Sequence, residues 1–202
     1  MKVAIIDYGM GNLYSVAHAC GYLGVDADIQ TSPEKLFNYD RLILPGVGAF
    51  GDAMKELSRR KLIRPIKDFI TAGRLFLGIC LGMQLLFESS QEAPGVPGLS
   101  LIRGDVRRFS NRLKCPHMGW NSIVTHNAGE PFFRDAPKNA FAYFCHSYYV
   151  RPKKAAVAIG QTDYGRLFAS IVRQDNLYGV QFHPEKSQTT GLNLLNNFLK
   201  IC

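Results

Sequence analysis

The sequence predicts an α/β domain with a mostly parallel central sheet, helices on both faces and an antiparallel edge. Three observations point there. Short apolar runs alternate with stretches of helical period through the first half of the chain. A cysteine flanked by glycines, Gly78-Ile79-Cys80-Leu81-Gly82, follows directly on one of those runs. Beyond the loop Glu92-Ala93-Pro94-Gly95-Val96-Pro97-Gly98 the texture changes to shorter strand-like pieces.

The elements follow in order. Val3 to Ile6 is an apolar run and reads as a buried strand. Asn12 to Leu23 places Leu13, Val16, Ala17 and Cys20 at helical spacing, and Gly24 supplies a stop. Arg41 to Leu44 is a second strand, ended by Pro45-Gly46. Ala49 to Arg60 and Ile63 to Ala72 read as helices, and Leu75 to Ile79 as a third strand. Met83 to Glu88 reads as a helix opening behind the cysteine. After the loop come strand-like pieces at Leu101-Ile102, Val106 to Phe109, Asn121 to Thr125, Phe141 to Phe144, Ala156 to Ile159, Phe168 to Val172 and Tyr178 to Phe182. Thr189 to Ile201 closes as a helix with Leu192, Leu195, Phe198 and Leu199 on one face. With no repeat, linker or low-complexity tract, residues 1–202 read as a single domain.

Composition excludes several classes. The chain has 202 residues, 47% hydrophobic and 20% charged, as an ordinary globular domain has. No apolar stretch approaches membrane-spanning length, and the short apolar run at the start ends on Asp7 rather than in a signal-peptide layout. Five scattered cysteines without a Cys-x-x-Cys pair argue against a disulfide framework and a zinc site, and favour a reducing cytoplasm. The formal net charge is +8, with basic clusters at Arg59-Arg60-Lys61, around Arg107-Arg108, Arg112 and Lys114, and at Lys153-Lys154. No recognition helix or aromatic-basic interleaving accompanies them, so solvated faces, an acidic docking partner or a phosphorylated substrate account for them better than nucleic acid.

The cysteine sits on an elbow between strand and helix, a place where glycines permit a sharp turn and the side chain projects from the sheet edge. A helix N-terminus behind it would favour a thiolate. A thiol nucleophile needs a base, and the base an orienting group. Of His18, His117, His126, His146 and His183, the last stands out, because Gly179-Val180-Gln181-Phe182-His183-Pro184-Glu185 holds it just past an apolar strand. Pro184 stops the strand there, and Glu185 is near enough in sequence to reach the imidazole. Alone, each residue has a bland reading: a buried thiol, a structural histidine, a solvated acid. Together they make a specific pair of motifs.

Those motifs, with Pro45-Gly46-Val47-Gly48 and Gln84, resemble the class I glutamine amidotransferases in order and spacing over nearly the whole chain. The resemblance implies a flavodoxin-like domain, a Cys80–His183–Glu185 triad and no metal or organic cofactor. It implies an oxyanion hole from the backbone N–H groups of Leu81 and Val47. It also implies L-glutamine held by Gly48, Gln84, Glu92 and the segment His146-Ser147-Tyr148, whose backbone would meet the α-carboxylate. Asp7-Tyr8-Gly9-Met10-Gly11-Asn12-Leu13, the continuation Ala49-Phe50 and Pro116-His117-Met118-Gly119-Trp120-Asn121 resemble one branch, the glutaminase subunits of imidazole glycerol phosphate synthases in histidine biosynthesis. That branch implies a heterodimer with a (β/α)8-barrel cyclase subunit, which would use the released ammonia to make imidazole glycerol phosphate and aminoimidazole carboxamide ribotide. Asn12, Met118 and Trp120 are the candidate interface residues, Trp120 having burial in a short strand as its other reading. Rival readings are a glutaminase subunit for aminodeoxychorismate or pyridoxal phosphate synthesis, a non-catalytic interaction module and a cysteine peptidase on the same fold. No role is assigned from Leu99 to Lys114.

Overall fold

The computed structural model describes residues 1–125, 129–136 and 140–202. His126 lies outside them. The first half builds strands β1 (Val3–Ile6), β2 (Ala27–Gln30), β3 (Arg41–Gly46) and β4 (Leu75–Cys80), with helices α1 (Leu13–Tyr22), α2 (Phe50–Arg59), α3 (Ile63–Thr71) and the single turn α4 (Leu81–Gln84). The second half adds β5 (Ser89–Ser90), β6 (Gly104–Arg108), β7 (His117–Thr125), β8 (Ala140–His146), β9 (Tyr148–Pro152), β10 (Ala158–Asp163), β11 (Leu167–Gln174) and β12 (Leu177–Val180) before helix α5 (Gln188–Lys200).

The sheet runs β2-β1-β3-β4-β12-β11-β10-β7-β8, and β9 leaves it at β11 to pair with β6. From β2 to β12 neighbouring strands are parallel; β12–β11, β11–β10, β10–β7 and β7–β8 are antiparallel. The central strands are apolar throughout because both faces are covered. Ala4, Ile6, Leu42, Leu44 and Phe76 point to one layer, with Phe50, Leu57, Ile66 and Phe69 of α2 and α3. Val3, Ile5, Ile43, Leu77 and Ile79 point to the other, with Val16 and Cys20 of α1 and Leu194, Leu195 and Phe198 of α5. Alternation along each strand thus sorts the core into two layers. Among the described residues no helix is long and apolar enough to cross a membrane.

Three expectations need correction. The second strand does not stop at Pro45 but continues to Gly46 opposite Cys80, while β1 pairs with β3 only as far as Ile43. Pro45 therefore stands where the β1 side has no partner to bond, so its missing N–H costs nothing there. The helix expected over Met83 to Glu88 is instead the one turn Leu81–Gln84. Leu85, Leu86 and Phe87 are all buried, and their carbonyls accept from Leu99, Leu101, Ile102 and Ser100 N–H groups of the returning loop. That loop replaces the helical bonds, and Leu101-Ile102 belongs to it rather than to a strand. The basic clusters are in part internally paired: Glu56 holds Arg59 and Arg60, and Asp105 holds Arg107 and Arg151.

Candidate active site

Register brings the chemistry together. In the parallel core Gly46 pairs with Cys80, and Val180 pairs with Ile79, the residue before Cys80. The carboxyl ends of β3, β4 and β12 therefore place Gly46-Val47-Gly48, Cys80 and Gln181-Phe182-His183 side by side, at the edge where open α/β sheets bind ligands. A cavity of about 600 Å³ opens there, lined among others by Asn12, Val47, Gly48, Cys80, Leu81, Gln84, Glu92, His146, Ser147, Tyr148 and His183.

The elbow is strained and sterically exacting. Cys80 has φ 55° and ψ −112°, a backbone conformation that side chains rarely adopt. The turn behind it packs directly on β3: a Cβ on Gly82 would stand 1.8 Å from the Leu44 carbonyl oxygen, and one on Gly78 2.7 Å from the Gly82 carbonyl oxygen. Glycine is needed at both places so that backbone can lie on backbone. Because α4 is only one turn, little helix dipole stands behind the thiol. The expectation that a helix supplies its positive field gives way to nearby side chains.

His183 is the principal one. Its N–H donates to the Tyr143 carbonyl at 3.0 Å, and Ser187 Oγ donates to its carbonyl at 2.6 Å, fixing the residue at the sheet edge. Its Nδ1 lies 2.9 Å from Glu185 Oε1. Burial works against a charged imidazole here, but the Cys80 sulfur and the Glu185 carboxylate outweigh it and raise His183 to about 10. The imidazolium is therefore held through neutral pH, with the Cys80 sulfur and the Glu185 carboxylate as its partners.

The remaining candidates gather around the same cavity with more specific partners than expected. Gln84 is buried, and its Nε2 donates to the Tyr148 carbonyl and to Gln181 Oε1, both at 3.1 Å. Both its hydrogens are used, which leaves Oε1 as the group to meet a ligand. Glu92 Oε2 accepts from Phe50 N–H at 2.8 Å, capping α2. The Ser147 carbonyl accepts from Phe109 N–H at 3.1 Å, and Asn12 Oδ1 accepts from Ser15 Oγ at 2.9 Å. Leu81 opens α4, so its N–H precedes the helix's internal bonds. Val47 is 44% exposed and Gly48 has φ 93°.

His117 was legible as part of the Pro116–Asn121 motif, but its place was not. It forms a buried chain with His146, and the polarity of that chain can be read from its ends. The Tyr148 carbonyl can only accept, so His146 Nδ1, 2.7 Å away, carries a hydrogen. His146 Nε2 then accepts from His117 Nδ1 at 3.1 Å, and His117 Nε2 accepts from Asn121 Nδ2 at 3.2 Å. Both rings are neutral, and burial depresses His117 to about 4 and His146 to about 3. Below their ordinary range the unfolded chain binds protons that the folded chain refuses, so stability falls as pH drops from about 6.5 toward 4. Urea unfolding is expected to show a loss on the order of 1–2 kcal/mol per ring between pH 7 and pH 5. In proton NMR both imidazoles should stay neutral at pH 5, and a charged ring there would overturn the assignment.

Tyr143, Cys145, Pro116 and Lys186 also line the cavity, and of these only Pro116 belongs to a motif quoted above. The candidate interface residues lie beside this group. Met118 pairs with Cys145 and Trp120 with Tyr143 across β7 and β8. Met118 is 61% and Trp120 48% exposed, so Trp120 is not the core residue that its other reading allowed. Val124 and Phe141 are exposed on the same two strands. An apolar sheet face thus runs up to the rim of the cavity, and a patch of that kind marks an interaction surface.

Comparison with known proteins is consistent with this geometry. Residues 4–202 match the family described as glutamine amidotransferase class-I. The chain is 48% identical to imidazole glycerol phosphate synthase subunit HisH of Sulfurimonas denitrificans, covering 98% of this chain and 97% of that one. It is 45% identical to the subunit of the same name from Bacillus subtilis, over 98% and 96% of the two chains. Among solved structures, PurLQS from Thermotoga maritima superposes with a TM-score of 0.79 at 19% identity, over 98% of this chain and 97% of that one. A structure described as a glutamine amidotransferase gives 0.78 at 20% identity, over 99% and 98%.

Proposed function

The chain belongs to the class I glutamine amidotransferases, and from that premise we infer that it is the glutaminase subunit of an imidazole glycerol phosphate synthase. All 202 residues act as one domain in the cytoplasm. The observation that carries the reading is the meeting of Cys80 and His183 in a cavity, with Glu185 held against the imidazole, and the continuation of the cavity rim into the exposed Met118–Trp120 face.

L-glutamine binds in the cavity with its side-chain amide at Cys80. Its α-carboxylate meets the backbone of His146-Ser147-Tyr148. Its α-ammonium meets Glu92, and Gly48 and the Gln84 carbonyl oxygen complete the cradle. The Cys80 thiolate attacks the amide carbon, and the N–H groups of Leu81 and Val47 take the oxyanion. The His183 imidazolium protonates the departing nitrogen, ammonia leaves, and a glutamyl thioester remains. Neutral His183 then draws a proton from water, whose oxygen attacks the thioester. Glutamate departs, and the thiolate–imidazolium pair is restored. Glu185 holds the ring throughout.

Ammonia released into water becomes ammonium and is lost as a nucleophile. The chain therefore works with a partner subunit, a (β/α)8-barrel cyclase docked on Asn12, Met118 and Trp120, which turns the ammonia into imidazole glycerol phosphate and aminoimidazole carboxamide ribotide. The test is to mix the chain with the cyclase and its nucleotide and follow product from glutamine and from ammonium salts. Trp120→Glu is expected to weaken association about 100-fold, as for a central aromatic of an interface. Glutamine-driven product should fall at limiting cyclase, with ammonia-driven product unchanged. Undiminished association and glutamine turnover in that variant would remove this face from the interface.

A further inference from the structure

We propose that Gln181 is a catalytic residue of this site: its buried side-chain amide donates a hydrogen bond to the Cys80 sulfur and holds it in the thiolate form. This rests on Cys80 being the nucleophile. It adds a donor that neither the triad nor the oxyanion hole includes.

Gln181 follows Val180, the register partner of Ile79, so it stands beside Cys80 at the ends of two parallel strands. It is fully buried, and its Nε2 lies 3.8 Å from Cys80 Sγ, within hydrogen-bond reach for sulfur. An amide's two ends are alike in shape, so its direction has to come from its neighbours. Here they leave one choice. The Tyr148 carbonyl is purely an acceptor, so Gln84 must present Nε2 to it. The same nitrogen faces Gln181, which must therefore answer with Oε1. The other end of the Gln181 amide, the end against sulfur, is then the NH₂ group.

A donor in a dry site favours the charged form of the group it meets, and hydrogen bonds to charged groups are the strong ones. The chain Tyr148–Gln84–Gln181–Cys80 also links the segment proposed to hold the α-carboxylate to the nucleophile. It gives Gln84 a second role as the residue that orients Gln181. Burial of Gln181 for packing alone would ask for neither orientation nor contact with sulfur.

The other titratable groups facing the thiol come from several elements. Tyr8 follows β1, Tyr143, Cys145 and His146 come from β8, Tyr148 opens β9, Glu92 comes from the loop after β5, and His183, with Glu185 against its ring, and Lys186 follow β12. All of them remain in a Gln181 variant, so the change read is that of the amide.

The experiment is alkylation of the isolated chain by iodoacetamide across pH 5–10, with Cys80 modification followed by peptide mass spectrometry so that the other thiols do not count. In Gln181→Met, of similar length and unable to donate, the Cys80 rate at acid and neutral pH is expected to fall about tenfold. The rate at the alkaline plateau should remain within about twofold of the starting protein, as a tenfold loss of thiolate by displaced titration requires. Gln181→Glu should show a larger loss, since its carboxylate opposes the thiolate. Gln84→Met, which frees Gln181 to turn, should show a smaller one and keeps the test available if Gln181→Met does not fold. Equal alkylation profiles in every folded Gln181 and Gln84 variant would overturn the inference. Failure of the nucleophile assignment itself would look different, as glutamine turnover surviving in Cys80→Ser.

Discussion

Replacing Cys80 by serine is expected to abolish glutamine-dependent product formation, by about 10⁴-fold or more, and to leave ammonia-dependent formation within about twofold. The size follows from what the elbow does. Everything costly about it, from φ 55° at Cys80 to the backbone contacts that need Gly78 and Gly82, serves to present one sulfur atom to the cavity. A serine hydroxyl keeps the backbone and the packing but is not ionised by His183 at neutral pH. The fold should therefore survive, and thermal unfolding should shift by no more than a few degrees. Unchanged association with the cyclase separates this from a folding defect, because docking needs the folded chain but not the thiol. Substantial glutamine-driven turnover in Cys80→Ser would remove the nucleophile, and lost association with the cyclase would point to failed folding instead.

The parts of this site that could be read in advance share one property: each depends on residues adjacent in sequence. The elbow is a five-residue pattern, and His183-Pro184-Glu185 needs no long-range contact to be recognised. The strands β1, β3 and β4 were legible because burial on both faces leaves them uniformly apolar. What stayed hidden depends on register or on edges. β2 (Ala27-Asp28-Ile29-Gln30) lies at the sheet margin, half exposed and too polar to announce itself. β9, Tyr148-Tyr149-Val150-Arg151-Pro152, ends on a proline and pairs mainly with β6, off the main sheet. Gln181 looked like an ordinary polar residue in a strand until the pairing of Val180 with Ile79 set it against the thiol. The His117–His146 pair spans two strands whose register no local pattern encodes. The helix expected behind Cys80 shortens to α4 for the same reason: a returning loop, not the local sequence, takes the carbonyls of Leu85, Leu86 and Phe87.

The second large effect is expected at His183. His183→Asn should lower glutamine-dependent turnover by about 10³- to 10⁴-fold, because it removes both the proton donor for ammonia and the base for thioester hydrolysis. Glu185→Gln separates orientation from charge. Glu185 Oε1 accepts from the imidazole at 2.9 Å, while Oε2 is buried without a partner among the described residues. A glutamine that keeps oxygen toward the ring buries an unsatisfied NH₂ group in the place of Oε2. One that turns over sets N–H against N–H and reverses the tautomer. Either way the imidazolium loses its counter-charge, and the loss should be about 10²-fold. The pH dependence carries the sign. His183 is raised to about 10, so the stability that its charge provides is complete below about 6.5 and is lost as pH rises toward 10. In Glu185→Gln the imidazolium is easier to deprotonate, so the alkaline limb of kcat/KM and the alkaline loss of stability should both move to lower pH. An alkaline limb that stays in place, with turnover reduced, would mean that Glu185 only positions the ring and that the Cys80 sulfur alone holds its charge.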